Sequence, residues 1–144
     1  MPNLDPTIIA VIDDWISAYQ GDDPEKVIDL YADDAVVAVQ GRSTITGRAA
    51  IGDLIRKSFV RLDRKVTVKY DSAEINGTWA YVYGRSWFTL APKDGAEPTY
   101  LFGRFTTLLR LCEDGKWRIF IDMDQESEDV DPNNPHFGEA AVTH

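Results

Sequence analysis

The sequence predicts an α+β domain in which helices come first and a largely antiparallel sheet follows. Three observations carry this. Apolar residues recur at helical spacing up to Leu62, the period changes to two from residue 65 onward, and Asn76-Gly77 stands between two alternating runs as a hairpin signal. A length of 144 residues fits one domain able to bury its own core.

Asp5-Pro6 reads as an N-cap followed by proline at the first helical position, and Ile8, Ile12, Trp15, Ile16 and Tyr19 give a first helix over 6–20 that Gly21 ends. Asp23-Pro24 repeats the start signal for a second amphipathic stretch with Val27, Ile28, Leu30 and Tyr31 on its apolar positions. Residues 35–39 form a short β-branched strand. Ile45-Thr46-Gly47-Arg48 leads into a third helix carrying Ile51, Leu54, Ile55, Phe59 and Leu62. Strands are then expected over 65–75, 79–90, 100–112 and 117–123, separated by Asn76-Gly77, Pro92-Lys93-Asp94-Gly95 and Glu113-Asp114-Gly115-Lys116. On the strand from Trp79, one parity holds Tyr81, Tyr83, Arg85 and Trp87, the other Ala80, Val82, Gly84, Ser86, Phe88 and Leu90. Both faces are largely apolar. Three helices cover only one of them, so a second copy of the sheet is the simplest cover for the other, and a homodimer is expected.

Composition narrows the function classes. Fifteen Lys and Arg against 24 Asp and Glu give a net charge of -9, the wrong sign for a protein that neutralises phosphates, so nucleic acid is not an expected partner. No run approaches the roughly 18 apolar residues of a membrane span. The single Cys112 excludes an internal disulfide, and Met1–Asp5 lacks the pattern of a signal peptide, which makes the cytoplasm the expected compartment. Past Gln125, Glu126, Glu128, Asp129, Asp131 and Glu139 meet no Lys or Arg, so 126–144 reads as an acidic tail, mobile or loosely docked on a domain of residues 1–125.

Trp15-Ile16-Ser17-Ala18-Tyr19-Gln20-Gly21-Asp22, then Leu30-Tyr31-Ala32-Asp33-Asp34-Ala35-Val36, then Ile45-Thr46-Gly47-Arg48-Ala49-Ala50-Ile51, and finally Asp114-Gly115-Lys116-Trp117-Arg118-Ile119 resemble the nuclear transport factor 2-like superfamily, in its SnoaL-like and ketosteroid-isomerase-like branch. The resemblance covers about residues 7–125. It implies a cystatin-like cone-shaped roll, with three N-terminal helices packed on a curved sheet, an apolar pocket between them and a dimer in most members. It does not carry one reaction, because this fold hosts isomerases, dehydratases, hydrolases and association domains. Laid on this chain, the steroid isomerase pattern puts its tyrosine at Asp14, its base at Val39 and its second donor at about Thr107. Valine takes no proton, so that mechanism is not retained. The scytalone dehydratase pattern is matched by Trp15 and Tyr19 but lacks its histidines, since His136 and His144 lie in the tail. The limonene epoxide hydrolase relay is matched by Arg85 and Asp122, with Trp87 at the position of its other Asp.

These comparisons and the residues themselves nominate a small set. Asp122, in an otherwise apolar strand, serves as a general base if it faces a pocket, or else pairs with Arg85 or Arg104 or lies at the sheet rim. Arg85, among aromatic residues, either binds a ligand oxygen or locks to Asp122, Asp14 or a partner subunit. Asp14, Trp15, Tyr19, Tyr31 and Trp87 are the candidate ligand contacts. The pairs Asp13-Asp14, Asp22-Asp23 and Asp33-Asp34 lack the spacing of a calcium loop, and no metal is expected. The basic stretch Arg56, Lys57, Arg61, Arg64, Lys65 and Lys69 reads as a solvated face. The expected activity is acid and base chemistry without a cofactor on a small apolar or aromatic molecule, as isomerase, lyase or hydrolase. The alternative is a noncatalytic binding or association domain of the same fold.

Overall fold

The computed structural model describes residues 3–131. In chain order they form α1 (Pro6–Tyr19), α2 (Pro24–Ile28), β1 (Tyr31–Ala38), β2 (Ile45–Thr46), α3 (Arg48–Arg61), β3 (Leu62–Asn76), β4 (Trp79–Pro92), β5 (Thr99–Leu111), β6 (Trp117–Glu126) and a final turn of 3-10 helix, η1 (Glu128–Val130). The start signals act as their chemistry dictates. Asp5 accepts the backbone N–H groups of Thr7 and Ile8, and Asp23 that of Glu25, each ahead of a proline that has no N–H to lose.

The strands make one curved, mixed sheet in the order β2-β1-β6-β5-β4-β3. β3 through β6 run antiparallel as consecutive neighbours, while β1 joins β6 in parallel. That parallel pairing corrects one expectation. The second helix stops at Ile28, and Tyr31 opens a strand instead of continuing the helix, because Tyr31 is in register with Ile119 and the Ile119 N–H donates to the Leu30 carbonyl at 2.8 Å.

The three helices lie on one face, here called the inner face. Its core joins Ile8 and Ile12 of α1, Val27 of α2 and Ile51, Ile55 and Phe59 of α3 to Val82, Leu109 and Ile119 of the sheet. Two glycines stand where a side chain would be strained, one by its φ and one by a close contact. Gly77 takes φ 65 in the β3–β4 turn, and a Cβ on Gly103 would stand 2.0 Å from the Gln125 carbonyl oxygen where β5 and β6 press together.

Arg64 corrects the reading of the basic stretch as solvated. It is buried, and its guanidinium donates to the carbonyls of Tyr19, the last residue of α1, and Gly21 just beyond it, and to those of Ser58 and Leu62 at the end of α3. Its flat face lies 3.5 Å from the Phe59 ring centroid. One planar cation thus satisfies the orphan carbonyls of two helices at once. Residues 127–131 turn back onto the opposite, outer face, where Val130 is fully buried and its carbonyl accepts from Trp87 Nε1 at 2.8 Å. Residues 132–144, which hold His136, Glu139 and His144, lie outside the described residues.

Candidate functional site

Which face Asp122 takes is set by a bulge. Thr107 pairs with Asp122 and Leu108 with Ile121, but Leu109 pairs with Ile119, which leaves Phe120 as an extra residue on β6. Ile119 and Asp122 therefore both point inward although three positions separate them, and a regular strand would have turned Asp122 out. The inner-face neighbours across the sheet are Thr107 on one side and Val37 on the other.

The polar groups there form a chain. Trp15 Nε1 donates to the Tyr31 hydroxyl at 3.1 Å, the Tyr31 hydroxyl donates to Asp122 Oδ2 at 3.1 Å, and the Thr107 hydroxyl reaches Asp122 Oδ1 at 3.4 Å. Tyr19 stacks on Trp15 with ring centroids 4.6 Å apart, and Phe88 meets both rings edge-on. Tyr31 is buried, and Asp122, Trp15 and Tyr19 are half-buried. Among the described residues no cation pairs with Asp122.

The electrostatics follow from that. Burial pushes the Asp122 carboxyl up to about 6, helped by the nearby Asp124 and opposed by the hydrogen bonds from Tyr31 and Thr107. Tyr31 is held well above the ordinary phenol range by burial and by the Asp122 charge, so it remains a donor. Burial also raises Asp124, whose carboxylate accepts the Gln40 N–H. The result is a carboxyl group that changes charge near neutrality between two neutral hydroxyl donors, a few ångströms from a wall of aromatic rings.

The structure brings together Asp122, Tyr31, Trp15 and, by stacking, Tyr19. It does not bring Arg85, Trp87 or Asp14 to them. Arg85 follows the parity of Tyr81 and Tyr83 onto the outer face. There its Nη2 and Nε lie 2.9 and 3.2 Å from the carboxylate oxygens of Asp71. Asp71 is the extra residue of a bulge in β3, with Arg104 3.9 Å from it and bonded in turn to Asp129. Neither arginine pairs with Asp122. Trp87 shares that outer face under Val130, and Asp14 is exposed on α1. The neighbouring Asp13 is the one engaged, accepting from the Tyr70 hydroxyl at 2.5 Å. No group of three or more metal-ligating side chains occurs among the described residues. An open cleft of about 810 Å³ between α2 and the start of α3 is a separate feature. Its arginines, Arg48 and Arg56, are already paired with Asp33, Glu25 and Asp53.

Sequence reasoning missed Thr107 as a partner of Asp122, the bulged Asp71 and the carbonyl-capping role of Arg64. The available signal for Arg64 was its place where α3 gives way to β3, five residues after Phe59.

The profile of the SnoaL-like domain matches residues 12–120, and the chain belongs to that family, within the nuclear transport factor 2-like fold. No protein among the curated ones matches it. Solved structures similar to it include a ketosteroid isomerase-like protein from Erwinia carotovora atroseptica, 21% identical, TM-score 0.73, covering 83% of this chain and 93% of that one. A scytalone dehydratase candidate from Novosphingobium aromaticivorans is 16% identical, with TM-score 0.73 over 84% of this chain and 82% of that one. An NTF2-like protein with a cystatin-like fold from the same organism is 18% identical, with TM-score 0.69 and coverage of 93% and 88%. These likenesses establish the α+β fold with its six-stranded mixed sheet and three helices. No helix is long and apolar enough to cross a membrane among the described residues.

Proposed function

We propose that the inner-face cluster is an acid/base centre acting without a cofactor on a small apolar or aromatic molecule, with Asp122 as the group that takes and returns a proton. The observation that carries this is the environment of Asp122: a half-buried carboxylate with two hydroxyl donors and no cation, poised near 6. A structural acid in such a place is ordinarily paired, and leaving one unpaired costs stability that a functional role explains. Tyr31 and Thr107 fix both carboxylate oxygens, and Trp15 fixes Tyr31. Trp15, Tyr19 and Phe88 supply an apolar surface for a flat ligand. The similarity to the dehydratase candidate supports this reading at the level of the fold.

The test uses carbon acids as general probes. In D2O, NMR would follow deuterium entry at the α-carbon of a panel of ketones bearing an aromatic ring, 2-tetralone among them. The expected result is exchange accelerated by the protein, rising with pH through about 6 as Asp122 ionises, and absent in Asp122→Asn. Equal acceleration by the wild type and Asp122→Asn, or none by either across the panel, overturns the proposal. A homodimer through the outer sheet face is the second element of this proposal, since Trp79, Tyr83 and Met123 stand exposed there.

A further inference from the structure

The β1–β2 loop, residues 39–44, carries a cation that the acid/base centre does not use. The loop is pinned where β1 and β6 end side by side. The Gln40 N–H donates to Asp124 Oδ1 at 3.2 Å, the Glu126 N–H donates to the Gln40 side-chain oxygen, and the Arg42 N–H closes a turn on the Val39 carbonyl at 3.2 Å. The end of α1 is fastened at the same end of the inner face, since Gln20 Oε1 accepts the Val66 N–H at 3.0 Å and Arg64 holds the Tyr19 carbonyl. Tyr19 and the Arg42 loop thus stand at one end of the inner face, where Trp15, Tyr19 and Phe88 pack together and are each half-buried.

Most arginines are engaged elsewhere. Arg48, Arg56, Arg85, Arg104, Arg110 and Arg118 each face a carboxylate, Arg64 is used on carbonyls, and Arg61 is exposed at the end of α3. Arg42 is exposed, forms no ion pair among the described residues, and has the Tyr19 hydroxyl within its electrostatic reach. Its surroundings are acidic, with Asp122, Asp124 and Glu126 on the neighbouring strand. An anion would be repelled by those carboxylates unless a cation met it, and in a chain of net charge -9 the Arg42 guanidinium beside Tyr19 is the cation placed to meet one here.

We propose that the site takes an organic anion, an aromatic carboxylate whose ring lies against Trp15, Tyr19 and Phe88 and whose carboxylate is met by Arg42 with the Tyr19 hydroxyl as second donor. This deepens the reading of Asp122 as an acid/base centre and rests on it. Arginine suits the task because its fork matches two carboxylate oxygens. Arg42 is then a specificity-determining residue, outside the proton-transfer machinery.

Calorimetric titration of the full chain with 2-naphthoate, its uncharged isostere 2-naphthamide and the cationic 2-naphthylmethylamine tests this. The expected result is naphthoate binding about tenfold tighter than naphthamide, the scale of one well-placed charge pair. Arg42→Gln should bring naphthoate down to the naphthamide level and leave naphthamide unchanged, while Arg42→Lys keeps part of the difference. Asp122→Asn should leave the Arg42-dependent preference intact. Equal binding of acid and amide, preference for the amine, or a naphthoate preference that survives Arg42→Gln each overturn the anion proposal. If ketone exchange still depends on Asp122 in those cases, the acid/base reading stands without it. Absence of both binding and exchange overturns the two together.

Discussion

Asp122 is the residue on which most turns, and its titration has a sign that can be worked out. Its carboxyl sits near 6 in the folded chain against an ordinary value of 3.8, so between those values the native state binds more protons than the unfolded one. Stability contributed at that residue therefore falls as pH rises from about 4 to about 6 and stays flat above, by on the order of 3 kcal/mol. Asp124 is shifted in the same direction and adds to the fall. Urea unfolding of wild type and Asp122→Asn across this window should converge near pH 4 and separate above 6, with the variant the more stable. An Asp122→Asn variant destabilised by several kcal/mol at pH 7 would instead mark Asp122 as a structural anchor. Tyr31 tests the hydrogen bond separately. Its hydroxyl stabilises the carboxylate, so Tyr31→Phe should move the Asp122 midpoint above 6, read from the carboxyl carbon by NMR. A midpoint left in place would show that the phenol is not donating to it.

At the scale of elements, local signals and long-range ones divide cleanly. The proline starts, the Asn76-Gly77 hairpin and the four long strands were legible because each is written in a few adjacent residues; β4 expected over 79–90 spans Trp79–Pro92. The two faces of β4 were legible from parity alone, with Val82 inside and Tyr83 outside. What was not legible depends on partners distant in sequence. Tyr31 looks helical by spacing and becomes a strand residue only because β6 pairs with it, and Asp122 faces inward only because Phe120 bulges against β5. Sequence could nominate Asp122, Trp15, Tyr19 and Tyr31, but it could not separate them from Arg85 and Trp87, whose face is opposite. Arg64 offers an element-scale prediction. Arg64→Met leaves the carbonyls at the ends of α1 and α3 without their donor and should cost about 2–4 kcal/mol in urea unfolding. Arg64→Lys should recover little of it, because an ammonium cannot span both helix ends. Loss of under 0.5 kcal/mol for Arg64→Met, roughly that of an ordinary surface substitution, would contradict the two-helix role.

For the whole molecule, the outer sheet face remains to be covered, and its charge pattern says where. At one end the chain covers itself: Val130 lies over Trp87, and Asp129, Arg104, Asp71 and Arg85 close a set of ion pairs. Toward the other end Trp79 is 45% exposed and Met123 49%, with Tyr83, Leu108 and Ile121 on the same face between them. The exposed apolar residues gather where the strap of residues 127–131 stops, so the proposed homodimer would use that uncovered part, with Tyr83 and Met123 near its centre. A stable contact of this kind buries about 800 Å² per partner and tolerates no uncompensated charge at its middle. Sedimentation at tens of micromolar, roughly the range where such an interface is occupied, should give twice the chain mass of 16.2 kDa. The Tyr83→Asp, Met123→Asp double variant should give the chain mass itself, with the ketone exchange proposed for Asp122 retained because Asp122 lies on the inner face. A wild type that sediments at 16.2 kDa, or a double variant that still sediments as a dimer, would remove this surface as the seat of a second copy.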